Sequence, residues 1–181
     1  MRKRLTLALS IASTGSLLLA ATPADAAQGV TFTLTAGALT VSDPANKSLG
    51  SVDTGTASIS STLGNTTVTD GRGALLGSWT ATVSSTDFTT GTATAEETIA
   101  KGQVDYYSGV ATASTGTAVR VPGQATALNK EALGASRTAF SATGVVGNNT
   151  ATWVPTVVVN IPSGAVAGTY SGTITHSVTG S

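Results

Sequence analysis

What most constrains this chain is a period of two. Segments of five to nine residues in which apolar and hydroxyl-bearing side chains alternate recur along most of its length, each bounded by Gly, Asn or Pro. The best example starts at Trp79, with Trp79, Ala81 and Val83 on one face and Thr80, Thr82 and Ser84 on the other. A helix would scatter these residues around its axis, whereas a pleated strand with one buried face requires this alternation. Val30, Phe32 and Leu34 form a similar stripe that Leu39 and Val41 repeat. Near the C-terminus Tyr170, Ile174, His176 and Val178 point one way and the intervening Thr and Ser the other. Trp153, Pro155, Val157, Val159 and Ile161 share a face in a strand read as largely buried, with Pro155 at an edge or bulge. Threonine suits such surfaces because its β-branch fits the pleat and its hydroxyl tolerates water. Many short strands with regular turns predict an all-β fold, an antiparallel β-sandwich with at most one short helix. That helix, one or two turns within residues 126–140, competes with a strand over residues 130–135.

The turns are read from glycine, asparagine and proline. Asp70-Gly71-Arg72-Gly73 supplies the left-handed positions of a tight reversal and an ion pair across it. Gly147-Asn148-Asn149 reads as a second turn, and Asp43-Pro44-Ala45-Asn46 ends a strand. Residues 111–123, rich in Thr, Ser and Gly, read as an exposed connection or edge ribbon.

The first 26 residues read as a secretory signal peptide: Arg2, Lys3 and Arg4, an apolar run, then Ala24-Asp25-Ala26 as cleavage site. Residues 27–181 then form one domain, and no second apolar run is long enough to span a bilayer. Without Arg2, Lys3, Arg4 and Asp25, six basic and eight acidic side chains remain, so no basic surface for nucleic acid is expected. Cysteine is absent, which leaves an exported domain to be held by its core and its ladders alone.

No catalytic set, metal site or cofactor is expected. His176 is the one histidine, too few with no cysteine for a usual zinc site, and it reads as a satisfied, half-buried residue. No G-x-S-x-G elbow is present, and the carboxylates are dispersed without a calcium-loop pattern or a pair singled out for glycoside hydrolysis. Trp79 and Trp153 are either core anchors or platforms for sugar rings, and Trp79 is the more open case. Tyr106, Tyr107 and Tyr170 carry polar tips and join Trp79 as candidate ligand contacts; adjacent Tyr106 and Tyr107 face opposite ways in a strand. Asp70, Gly71, Arg72 and Gly73 are read as a structural turn and ion pair.

Val68-Thr69-Asp70-Gly71-Arg72-Gly73, the strand led by Trp79, and Ile161-Pro162-Ser163-Gly164 through Gly168-Thr169-Tyr170-Ser171-Gly172-Thr173-Ile174-Thr175 together resemble the WxL domain of surface proteins from Gram-positive bacteria. The chain looks like a divergent branch: where that family carries Trp-x-Leu, it has Trp79-Thr80-Ala81 and His176-Ser177-Val178. The resemblance implies an exported β-rich domain attached non-covalently to the cell wall through peptidoglycan, without catalysis. The alternative expectation is a structural or adhesive subunit that assembles with itself or another surface protein through β-edges.

Overall fold

The computed structural model describes residues 28–181, so the signal-peptide reading of residues 1–26 lies outside the described residues. The chain divides into two units, Met1–Leu34 and Thr35–Ser181. In the first, the described residues 28–34 form no strand.

The second unit is all-β and antiparallel: β1 (Leu39–Ser42), β2 (Ser58–Thr62), β3 (Thr66–Asp70), β4 (Leu75–Ser85), β5 (Phe88–Thr89), β6 (Thr98–Ile99), β7 (Val104–Tyr107), β8 (Ala111–Pro122), β9 (Glu131–Ala132), β10 (Arg137–Trp153), β11 (Thr156–Asn160) and β12 (Ile174–Gly180). No α-helix occurs among the described residues. The helix expected within residues 126–140 is reduced to a 3₁₀ turn at Ala127–Asn129, followed by β9 and the start of β10. Gly134 and β-branched Thr138 oppose continuation as a helix.

The larger sheet is built around β10. Its one side pairs with β8. Its other side pairs first with β4 and then with β3. Both partners are antiparallel to β10, so β3 and β4 run in the same direction, end to end in one lane. Asp70 lies opposite Asn149 and Leu75 opposite Val146, which sets residues 71–74 against Gly147 and Asn148. The expected tight reversal at Asp70-Gly71 is therefore corrected to a bulged joint. Gly73 adopts a left-handed φ of 65°, but the chain keeps its heading. Gly147, with φ 67°, is likewise part of a bulge inside β10 and not a turn.

The next lane repeats this construction. β1 pairs with β3, and β12 pairs with β4. Ser181 exchanges backbone hydrogen bonds with Ser78, while Gly37 and Ala38 bond to Gly71. The lane along β4 that a backward extension of β1 would need is thus filled by β12. The alternation of Val30, Phe32 and Leu34, read as a strand, forms none among the described residues.

The smaller sheet has the order β2-β11-β7-β9, and β5-β6 forms a separate ribbon. The single buried strand expected from Trp153 to Ile161 is divided between the sheets, because Pro155 lacks the N–H that would continue the ladder. Inward side chains of both sheets meet in one core, with Trp79, Ala81 and Val83 from β4, Phe140 and Trp153 from β10, Val104 and Tyr106 from β7, and Val157 and Val159 from β11. Phe140 stacks on Trp153 at a centroid distance of 4.9 Å and leans on Trp79 at 6.5 Å.

Candidate functional site

A broad concavity of the second unit lies where regular structure gives out. Residues 46–55 and 165–172, both outside the strands, wall an open cleft of about 1,050 Å³. Its floor is apolar: Ile59 of β2, Phe88 of β5, Ile99 of β6, and Val159 and Ile161 at the end of β11. Its walls mix Ser, Thr, Asn and Gly with Leu49, Val52 and Val166, and Lys47 and Asp53 are the charged residues of the lining. At Asn46, Lys47, Phe88 and Gly172 it adjoins a smaller cavity of about 190 Å³ that ends on Asp43 and His176.

Tyr170 lines the cleft and also braces it. Its hydroxyl lies 2.9 Å from the carbonyl oxygen of Val166 and 3.1 Å from that of Glu96. Val166 N–H donates to the same Glu96 carbonyl, and Thr89 and Ser171 exchange backbone bonds. Residues 165–172 are thereby tied to the β5–β6 ribbon. Tyr170 was expected in the last strand, yet β12 begins only at Ile174. The glycines at 168 and 172 let this segment pass close over Thr90 and Phe88: a Cβ at Gly172 would sit 2.7 Å from the Phe88 ring.

Under the smaller cavity runs a chain of hydrogen bonds. Trp153 Nε1 donates to the Tyr106 hydroxyl at 3.3 Å, and that hydroxyl lies 2.9 Å from His176 Nε2. His176 Nδ1 lies 3.0 Å from Asp43 Oδ2, and Thr66 Oγ1 donates to Asp43 Oδ1 at 2.6 Å. The Tyr106 hydroxyl thus bridges the indole and Nε2, while Nδ1 faces the Asp43 carboxyl. Burial pushes the Tyr106 phenol well up. Burial also opposes ionisation of Asp43, but the hydrogen bonds from His176 and Thr66 outweigh it and hold the carboxyl below the usual range. Both imidazole nitrogens are engaged within the protein. Among the described residues no cluster of three or more His, Cys, Asp or Glu is placed to hold a metal ion.

The four aromatic candidates do not converge. Trp79 and Tyr106 are buried, and the expectation that they present rings to a ligand is corrected. The inward positions of β4 and β7 face the opposite sheet, and Trp79 spends its N–H on Asn149 Oδ1 at 3.1 Å. Tyr107 is half-buried, on the opposite face of β7 from Tyr106 and away from the cleft lining. Only Tyr170 reaches the cleft. Asp70 and Arg72 form a forked ion pair, with Nε to Oδ1 and Nη2 to Oδ2 both at 2.9 Å. Nη2 also donates to the Ser78 carbonyl, so the pair fastens β4 across the joint framed by Gly71 and Gly73. Sequence reasoning missed the cleft and the Asp43–His176 contact, whose partners stand 133 residues apart. The one available signal was the concentration of Gly and Ser in the two wall segments.

No protein-family model matches the chain, and no curated protein or solved structure is significantly similar to it. Among the described residues no helix is long and apolar enough to cross a membrane.

Proposed function

We propose that this protein is a secreted, non-catalytic surface module that holds an uncharged stretch of cell-wall polymer, peptidoglycan, in the cleft between residues 46–55 and 165–172. The observation that carries this reading is the lining of the cleft. It is open, with an apolar floor, walls that mix hydroxyl and backbone groups with Leu49, Val52 and Val166, and two aromatic rings, Phe88 and Tyr170. Such a surface suits a sugar chain, whose C–H faces pack on apolar groups while its hydroxyls pair with polar rims. The resemblance to WxL domains supports the location at the wall. The non-catalytic role is supported by the burial of Tyr106, whose hydroxyl beside His176 is shut inside the core against Trp153. Affinity per site is modest in this reading, and many copies on one polymer supply retention.

The test is co-sedimentation with purified peptidoglycan. The wild-type protein is expected to pellet with the wall, and Tyr170→Leu, folded by circular dichroism, to bind at least fivefold more weakly. Trp79→Phe, altered in the core, is expected to bind as wild type. Equal binding by Tyr170→Leu would remove the site from the cleft. Wild-type protein left in the supernatant would overturn wall attachment.

A further inference from the structure

The small cavity that opens off the cleft is built differently from the cleft itself. Its sides include Leu63, Val157 and Ile174, and it ends on Asp43 and His176. Asp43 is held from two directions, by Thr66 Oγ1 on Oδ1 and by His176 Nδ1 beside Oδ2. Pro44 stiffens the chain after it and packs on the β2–β3 connection, where a Cβ at Gly64 would sit 2.8 Å from the Pro44 ring. The Asp43 side chain is nevertheless 34% exposed. With roughly four acceptor sites on its two oxygens, the carboxylate keeps room for a further donor. At the mouth shared with the cleft stand the amide of Asn46 and the cation of Lys47, which pairs with no carboxylate among the described residues.

We propose that this cavity receives the N-acetyl group of an amino sugar in the wall polymer. The acyl N–H donates to Asp43, the methyl lies on Leu63, Val157 and Ile174, and the carbonyl oxygen turns to Asn46 and Lys47 at the mouth. The inference rests on the wall-binding reading of the cleft and adds the group by which the site selects its polymer. Peptidoglycan is a chain of N-acetylated amino sugars, so the group recurs along the ligand. An N-acetyl group carries a donor, an acceptor and an apolar end, and the cavity holds a counterpart to each. Charge points the same way. A carboxylate would be set against Asp43 and an ammonium against Lys47, so the pair of opposite charges favours a neutral, dipolar group. A hydroxyl in its place would leave the apolar sides uncovered. Size agrees as well: a cavity of about 150 Å³ holds benzene. The volume here, about 190 Å³, takes an acetamido group together with the ring edge that bears it.

Calorimetric titration of the full chain with two neutral β-1,4-linked tetramers tests it. One is built of N-acetylglucosamine and the other of glucose, so they differ in the acetamido group alone. The wild-type protein is expected to bind the acetylated tetramer at least tenfold more tightly. Asp43 and Leu63 line the inner cavity and not the cleft. Leu63→Phe, which fills the cavity, and Asp43→Asn, which keeps the shape and removes the charge, are each expected to reduce that preference to less than threefold. Both variants are expected to hold the glucose tetramer as the wild type does, whereas a variant that failed to fold would lose both ligands. Equal binding of the two tetramers by the wild type, or a preference that survives Leu63→Phe, would overturn the inference and leave the cleft reading standing. Failure to bind the acetylated tetramer would overturn it too, and co-sedimentation with peptidoglycan then shows whether the wall-binding reading falls with it.

Discussion

Asp70 and Arg72 show how one residue pair turns a local signal into a long-range fastening. Asp70 is buried, and its carboxyl is held below the usual carboxylate range chiefly by the Arg72 guanidinium, which outweighs the opposing effect of burial. Its two oxygens take the guanidinium fork, and Oδ1 also accepts the Arg72 backbone N–H at 3.1 Å. The sign of the linkage follows. A carboxyl whose value is depressed on folding favours the native state while ionised, and that contribution is lost as pH falls through the depressed value. Asp43 and Asp105 are depressed as well, the first through His176 and Thr66, the second through Lys130 and Asn160, in each case against the cost of burial. The midpoint of urea unfolding is therefore expected to fall as pH drops below about 4, where an ordinary carboxylate begins to protonate. The slope is expected to be shallower in Asp70→Asn, and an unchanged slope would remove Asp70 from the acid response. The pairing of Asp70 with Arg72 was legible in the sequence, since the two stand two residues apart across a glycine. Its reach to Ser78 was not, because that depends on where the joint sends the chain.

At the scale of elements, β10 organises the larger sheet by bending without reversing. Gly144 and Gly147 take φ of 61° and 67°, and the register to β4 and β8 shifts around them. A left-handed glycine states the local dihedral but not the direction of the chain afterwards. For that reason Gly147-Asn148-Asn149 and Asp70-Gly71-Arg72-Gly73 both read as turns and both prove to be bulges, facing each other across β10 and the β3–β4 lane. The alternation of β4 was legible because every inward position from Trp79 to Val83 is apolar and every outward one carries a hydroxyl. The cost of replacing the bulge glycines separates two effects. Gly144→Ala and Gly147→Ala meet open space and are expected to lose about 1 kcal/mol each, from the left-handed φ alone. At Gly116, φ is also positive, and a Cβ would overlap the Asn148 carbonyl, so Gly116→Ala is expected to lose at least about 1 kcal/mol more. Equal losses in denaturant titrations would mean that β8 and β10 separate there without strain.

Across the whole compact unit, the regular parts hold the irregular ones. Two sheets close on a core in which Trp79, Phe140, Trp153 and His176 follow one another at centroid distances of 6.5, 4.9 and 6.1 Å. That line runs from near the β3–β4 joint to the inner cavity beside the cleft. The all-β class follows from the period of two and the missing cysteines put the burden on this core, so both were legible. The cleft was not, because its walls have no periodicity and its floor gathers residues from β2, β5, β6 and β11. The central claim is that these walls, and not the buried aromatics, meet the ligand. The most direct measurement is a backbone amide NMR titration of the folded protein with soluble peptidoglycan fragments. Shift changes concentrated in residues 46–55 and 165–172, with Trp79 and Tyr107 unmoved, are the predicted result. Changes confined to the β3–β4 joint, or none at saturating fragment, would contradict it.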